Sequence, residues 1–373
     1  MACTRAAGSV CAMSELRRTP LFDRHVALKA KLADFGGWNM PIEYAGVVAE
    51  HSAVREAAGV FDVSHMGKVL LLGPGASAYV NSVLTNDLDR IESGRAQYSM
   101  LCNERGGVID DLIVYRVSDD EVFIVPNASN AAAVVRVLRE SAPPGVDVAD
   151  LHDELAIIAV QGPRSGDVLA ILGLPVDHGY MTFVDCEWMG ASVRVCRTGY
   201  TGERGYEVIA PSATIRALWD EVLSAGADLG VLPAGLGARD TLRTEMGYPL
   251  HGQDLSPSIS PVRARLGWAV GWDKPAFHGR EALVAERASG EGPRLWGIRA
   301  LERAIPRPHM PVQASDSRVI GETTSGTFSP TLREGIGLAL LEGVAPGDEV
   351  IVDVRGRPSH FCVVRPPFVP SAT

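Results

Sequence analysis

Residues 154–172 read ELAIIAVQGPRSGDVLAIL. A continuous apolar run stops at Gln161-Gly162-Pro163, and an amphipathic run follows. Proline removes a backbone donor and glycine loosens the chain, so the segment reads as strand, turn and helix. The same order appears at 60–84, VFDVSHMGKVLLLGPGASAYVNSVL, where Leu72-Gly73-Pro74 matches Gln161-Gly162-Pro163. After the first unit, QYSMLCN (97–103) and GVIDDLIVYRV (107–117) flank Glu104-Arg105-Gly106 as a β-hairpin. EVFIVP (121–126) is a further strand, and 128–141 reads as a helix. After the second unit come strands at 181–187, 191–197 and 205–210 and a helix at 212–225. Two such units predict a duplicated α+β fold, antiparallel sheets with helices on one face.

Outside this pair, GVVAEHSAVREAA (46–58) has helical spacing, and ERASGEGPR (286–294) reads as a linker. Short runs such as RLWGIRA, VIGETTSG, IGLALLE and EVIVDVR then predict a small C-terminal β-barrel or sandwich. The expected domains are a disordered extension over 1–16, a two-unit body over 17–285 and a β-barrel domain over 293–370. The N-terminal stretch has no apolar h-region, so a secretory signal is not expected; its Arg and Ser without acids leave a weak mitochondrial-type presequence as the lesser alternative.

The chain has 373 residues, 46% hydrophobic and 21% charged, with a formal net charge of −10. That length and composition exclude wholesale disorder and a disulfide-dense miniature. No uninterrupted apolar run is long enough to span a bilayer. The negative field and the lack of any run of basic residues argue against nucleic acid or an anionic membrane as partner. Six scattered cysteines with no C-x-x-C read as reduced thiols of a cytoplasmic protein. Only four basic residues are lysine, which together with abundant Ala, Gly and Val points to a GC-rich bacterial coding sequence.

Several motifs fail on inspection. Gly73–Ala78 fits G-x-G-x-x-A, but a dinucleotide fold needs parallel βαβ units and the next strands form a hairpin. No phosphate loop, hydrolase elbow or metal-ligand spacing of His and Cys is present, so no metal is expected. His65 reads as a hydrogen-bonded, partly buried histidine.

Three places resist a purely structural account. Asp110-Asp111 interrupts a strand of Val108, Ile109, Leu112, Ile113 and Val114. Alternation puts Asp111 on the face of Ile109, Ile113 and Tyr115, and Asp110 on the other. One carboxyl must face apolar surroundings, where burial raises its pKa and fits it for proton handling. The plainer reading is a pair that fixes a strand end. Arg197–Glu207 holds three glycines, two tyrosines and two glutamates, a surface suited to a planar ring with several N–H donors, or simply a long hairpin turn. Pro233–Arg243 is a Gly-rich helix entry with Arg239 and Arg243 on one face, suited to an anion or to ion pairs with Asp240 or Glu245.

TPLFDRH (19–25), FGGWNMPIEY (35–44), FDVSHMGK (61–68), NERGGVIDDLIVYRV (103–117), RTGYTGERGYE (197–207), PAGLGARDTLR (233–243) and TSGTFSPTL (324–332) occur in this order. Together they resemble the glycine cleavage system T-proteins, the aminomethyltransferases, from about Arg17 to Pro370. The resemblance implies ferredoxin-like or related α+β units forming a folate-binding body, a C-terminal β-barrel, and tetrahydrofolate as co-substrate in a central cleft. It implies transfer of a one-carbon unit from the aminomethyl-dihydrolipoyl arm of H-protein to tetrahydrofolate, with ammonia released and 5,10-methylenetetrahydrofolate formed. The other glycine cleavage enzymes would be indirect partners.

By the same resemblance Asp111 is the catalytic aspartate, and Glu207 and Arg239 contact the folate. Met66, Tyr98, Tyr115, Asn127, Tyr200 and Trp268 are expected near the ring system, each with ordinary core packing as the alternative. Some relatives place a ligand-contacting tyrosine a few residues beyond Phe368-Val369-Pro370, where this chain reads Ser371-Ala372-Thr373. The alternatives are another folate-dependent transferase or demethylase of the same superfamily, and a non-catalytic folate-binding protein of the iron–sulfur assembly type. The latter carries K-G-C-Y-x-G-Q-E, where this chain has Arg197–Glu203 and no cysteine.

Overall fold

The computed structural model describes residues 16–372. The extension expected over 1–16 therefore lies outside the described residues, apart from Leu16.

The strand–Gly-Pro–helix repeat is real in three dimensions. Gly73 and Gly162 adopt φ of 136° and 134°, and each carbonyl accepts a bond of 3.0 Å from the amide three residues on (Ala76 and Ser165). A Cβ at Gly73 would lie 1.9 Å from the Gly145 carbonyl oxygen, so only glycine fits that turn.

The first unit is a five-stranded sheet, in the order Arg95–Cys102, Val108–Arg116, Glu121–Val125, Val69–Leu72 and Asp147–Asp150, antiparallel throughout. The second is six-stranded, in the order Phe183–Trp188, Ala191–Cys196, Gly205–Pro211, Leu155–Gln161, Ala58–Asp62 and Val231–Pro233, with only the last pair parallel. One face of each sheet carries helices. Leu112, Val114 and Ile124 pack on Val80, Val134 and Leu138, and Ile158 and Val208 pack on Val168, Leu218 and Trp219. The opposite faces meet through Tyr115, Phe123 and Val125 of one sheet against Phe61, Ile157 and Ile209 of the other. The body is thus four layers, helix–sheet–sheet–helix.

Two readings change. Residues 60–72 are not one strand: Ala58–Asp62 belongs to the six-stranded sheet and Val69–Leu72 to the five-stranded one, with Val63–Lys68 crossing between. Asp62 holds the crossing by accepting the Ser64 amide at 2.9 Å, and is itself held by His25 and Thr19. The linker expected at 286–294 begins later, because helix Arg280–Ser289 runs into it. Its polar residues are the solvent face; buried Leu283 anchors the other side, and Glu286 pairs with Arg263 at 2.8 Å.

The C-terminal strands close into a six-stranded antiparallel barrel: Arg294–Ala300, Glu334–Leu341, Val319–Ser329, Pro311–Gln313, Glu349–Asp353 and Pro358–Val364. Its joint with the body is polar. Buried Asp254 accepts from Arg243, Thr324 and Ser325 at 2.8, 2.5 and 2.8 Å. Buried Glu245 accepts from Ser329, Thr331 and Arg55 at 2.5, 3.0 and 2.7 Å. The TSGTFSPTL stretch therefore packs against helix Leu236–Met246 and joins barrel to body. Among the described residues, no helix is long and apolar enough to cross a membrane.

Candidate functional site

Between the facing sheets and the barrel lies a cavity of ≈ 730 Å³, lined by all nine residues singled out from the sequence: Met66, Tyr98, Asp111, Tyr115, Asn127, Tyr200, Glu207, Arg239 and Trp268. They come from separate elements. The five-stranded sheet supplies Tyr98, Asp111 and Tyr115, and the residues just past its third strand supply Asn127. The six-stranded sheet supplies Glu207, the crossing segment Met66, and the helix Leu236–Met246 Arg239.

The aspartate pair sits at a bulge. Leu101 pairs with Asp110 and Cys102 with Val108, leaving Ile109 as the extra residue. Ile109 consequently packs on the helix side with Leu112 and Val114, contrary to simple alternation. Asp111 keeps the expected face, with Ile113 and Tyr115 in the cavity wall. Its Oδ2 accepts from the Tyr98 hydroxyl at 3.0 Å, and its Oδ1 accepts from Asn127 Nδ2 at 2.9 Å. Asp110 is fully buried and accepts from the Asn127 amide N–H (3.0 Å), Asn127 Nδ2 (2.9 Å) and Asn130 Nδ2 (2.7 Å).

Burial raises both carboxyls above the usual range, not one of them as alternation alone suggests. The charge of Asp111 raises Asp110 further, while the Asn130 and Asn127 bonds oppose the rise. Every partner of Asp110 is a pure donor, which favours the ionised form. Of the four carboxyl oxygens, only Asp111 Oδ2 meets a group, the Tyr98 phenol, that can accept as well as donate.

Glu207 accepts from the Thr198 hydroxyl at 2.5 Å. Burial raises its carboxyl, opposed by that bond and by the Arg239 charge. Arg239 lies over the Tyr200 ring at 4.3 Å and, among the described residues, its guanidinium makes no hydrogen bond or ion pair, so its side-chain donors are free for a ligand. Arg243, on the same helix face, offers no such donors: Asp240 and Asp254 neutralise it at 2.7 and 2.8 Å. The plainer ion-pair reading holds for that residue. The Arg197–Glu207 stretch is a hairpin loop folded onto Gln161, which donates to the Thr198 carbonyl and accepts from the Thr201 hydroxyl. A Cβ at Gly199 would lie 2.0 Å from Gln161 Oε1. This packing holds the Tyr200 ring, whose hydroxyl donates to the Pro249 carbonyl.

Tyr98 and Trp268 stack at 5.5 Å, with Trp268 64% exposed at the mouth. Tyr115 is buried at the inner end. Arg265 lies over Trp296 and Arg287 over Trp272, with Arg294 and Arg365 nearby; none is ion-paired among the described residues. The tail lies elsewhere: Ser371 and Ala372 bond to the Gly202 carbonyl. His65 departs from expectation. It is fully buried, its Nδ1 has no partner, and burial holds its ring down to about 3.

Sequence reading missed Thr198, Asn130 and His251. Asn130 is an ordinary helix-start residue by pattern, and His251 lies in an irregular loop more than a hundred residues from the aspartate pair. Neither has a local spacing signal.

Comparison with known proteins places this geometry. Residues 21–274 match the GCVT N-terminal domain, and residues 294–370 match the glycine cleavage T-protein C-terminal barrel domain. The chain is 64% identical over 360 residues to an aminomethyltransferase of Parafrankia sp. (strain EAN1pec), covering 96% of this chain and 99% of that one. It is 57% identical over 358 residues to an aminomethyltransferase of Mycobacterium tuberculosis (strain ATCC 25618 / H37Rv), covering 95% and 97%. The crystal structure of glycine cleavage system aminomethyltransferase T from Bartonella henselae superposes with a TM-score of 0.90 at 33% identity, covering 96% and 99%. The two-sheet body, the barrel and the full-length likeness together make this chain a member of the glycine cleavage T-protein family of aminomethyltransferases.

Proposed function

We propose that the cavity binds tetrahydrofolate with its pteridine at Asp111, Glu207 and Arg239, and receives the aminomethyl-dihydrolipoyl arm of H-protein. The convergence of two half-buried carboxyls and one unpaired guanidinium on a single aromatic-walled cavity carries this reading. An ionised Glu207 accepts from adjacent N–H donors of a pteridine edge, and Arg239 donates to its oxygen and nitrogen acceptors.

The transfer balances without redox chemistry. The methylene carbon leaves the arm's sulfur and its own nitrogen, and bonds to N5 and N10 of the folate. Those nitrogens lose two protons: one completes ammonia and the other the thiol of the reduced arm. Asp111 is placed to take a proton from the attacking nitrogen and to stabilise an iminium-like carbon. Tyr98 holds that carboxylate and can relay its proton. Tyr200, Tyr98 and Trp268 exclude water from the reacting carbon, and Met66 and Tyr115 close the inner wall.

The folate's glutamyl carboxylate leaves by the mouth, past the unpaired arginines. The bacterial relatives support a cytoplasmic setting, with the other glycine cleavage enzymes as indirect partners. The test is ammonia release from aminomethylated H-protein on addition of tetrahydrofolate and the chain. Ammonia and 5,10-methylenetetrahydrofolate in equal amounts, far above the uncatalysed rate, are expected. Folate binding without ammonia would mark a binding module instead.

A further inference from the structure

The hydrogen bonds that hold Asp111 do not end at Asn127. Asn127 Nδ2 meets three acceptors, Asp110 Oδ1, the Asp111 carbonyl and Asp111 Oδ1, at 2.9, 2.8 and 2.9 Å. Asp110 Oδ1 also receives Asn130 Nδ2 at 2.7 Å, and Asn130 Nδ2 lies 2.9 Å from His251 Nδ1. His251 Nε2 lies 3.0 Å from the Val108 carbonyl, three residues before Asp111 on the same strand. His251 thus closes a loop of polar contacts that begins and ends on the strand Val108–Arg116, and it lines the same cavity as Asp111.

The donor directions follow from the partners. A carbonyl only accepts, so Nε2 carries the hydrogen, and the Nδ1 of a neutral ring is a bare acceptor. That acceptor draws the Asn130 NH2 group, whose second hydrogen points to Asp110. Were Nδ1 a donor, Asn130 would have to turn its oxygen toward both, setting it against an Asp110 oxygen at contact distance. Asp110, fed by two side-chain amides, in turn keeps the Asn127 NH2 group aimed at Asp111.

We infer that His251 is a positioning residue for the one-carbon transfer: through Asn130, Asp110 and Asn127, its Nε2–H tautomer fixes the direction of the Asp111 carboxylate. This rests on the reading of Asp111 given above.

The test uses the full chain with tetrahydrofolate and aminomethylated H-protein. His251→Leu removes the acceptor, and His251→Gln restores one, with an amide that can also donate to Val108. For His251→Leu, kcat falls about 10²-fold, the scale of a misplaced reacting group, while KM and Kd for tetrahydrofolate stay within about threefold. His251→Gln recovers to within about fivefold of the parent. Asn130→Ala cuts the same chain from its other side without burying an apolar group, so it matches His251→Leu, and the double variant is no slower than either single one.

A wild-type kcat in His251→Leu, a glutamine variant as slow as the leucine one, a loss confined to Kd, or a multiplicative double variant would overturn the inference. Should the leucine variant not fold, the Asn130→Ala and His251→Gln pair decides. Asp111→Asn is run alongside. If it is fully active, the Asp111 reading fails first; if it is inactive while Asn130→Ala and His251→Leu work normally, only the His251 inference fails.

Discussion

Asn127 Nδ2 lies 2.9 Å from Oδ1 of Asp110 and 2.9 Å from Oδ1 of Asp111, so one side-chain amide bridges a buried carboxyl group and a half-buried one. Consecutive strand residues point to opposite faces, and the bridge passes around the strand edge to reach both. The helix-side carboxylate thereby steadies the cavity-side one.

Asn127→Ala removes the bridge and leaves Asp111 Oδ1 without a donor, while Asp110 Oδ1 keeps Asn130. Its kcat for one-carbon transfer falls about 10²-fold. Stability falls by about 1–3 kcal/mol, the cost of an unsatisfied buried polar group. Stopped assays and urea unfolding read the two effects separately. A variant with normal turnover shows the bridge to be dispensable.

Glu207→Ala acts on binding. The lost acceptor for ligand N–H groups is worth about 1.5–3 kcal/mol, so Kd for tetrahydrofolate rises roughly 10- to 10²-fold with kcat less affected. Ligand-induced fluorescence change measures it. Unchanged affinity would move the pteridine away from Glu207.

Glu245→Ala separates barrel from body. It strips the acceptor of Ser329, Thr331 and Arg55; Arg55 keeps Glu203 at 2.9 Å, so the loss is that of buried hydroxyls left without an acceptor, about 1–3 kcal/mol. Burial alone would raise this carboxyl, but bonds from His51, Ser329 and Arg55 hold it down to about 2. A lowered folded value means the stabilisation is present above the ordinary carboxyl pKa of about 4.3 and is lost as pH falls toward 2. Acid unfolding followed by circular dichroism should shift to higher pH in the variant that lacks the carboxylate.

Lys68 gives a slope of the same sign in a different pH window. It is fully buried, bonded to the Ser64 carbonyl at 2.7 Å, and burial holds it down to about 7. The folded protein releases this proton while the unfolded chain keeps it until about pH 10.4. Its contribution to stability therefore rises with pH across that window, by at most about 1.4 kcal/mol per pH unit. Lys68→Met lacks the slope, so its advantage over the parent shrinks from pH 7 to pH 9. Parallel melting curves against pH would show Lys68 to be charged in the fold.

Much of the architecture was legible because it rests on local pattern. Gly73 and Gly162 punctuate both repeats, and the apolar runs between turns locate most strands. The face of Asp111 followed from Ile113 and Tyr115. What was hidden depends on contacts across the chain. The crossing at Val63–Lys68 looks continuous in hydrophobicity, and only pairing shows that its two halves join different sheets. The bulge at Ile109 has no signature beyond the adjacent aspartates. Arg239 and Arg243 share a helix face in sequence, yet Asp254 claims only the second, and nothing near either residue announces which. Resemblance to a family brought the nine site residues together before the structure did, whereas His251 and Asn130 emerged only from distances.

The central claim is that Asp111 takes the proton of the nitrogen that attacks the carbon being transferred. The most direct measurement is single-turnover ammonia release by Asp111→Asn, with Kd for tetrahydrofolate determined on the same preparation. The expected result is a rate loss of about 10²–10⁴-fold, the usual span of acid–base catalysis, with Kd within a few-fold of the parent. Turnover at the parent's rate would contradict it.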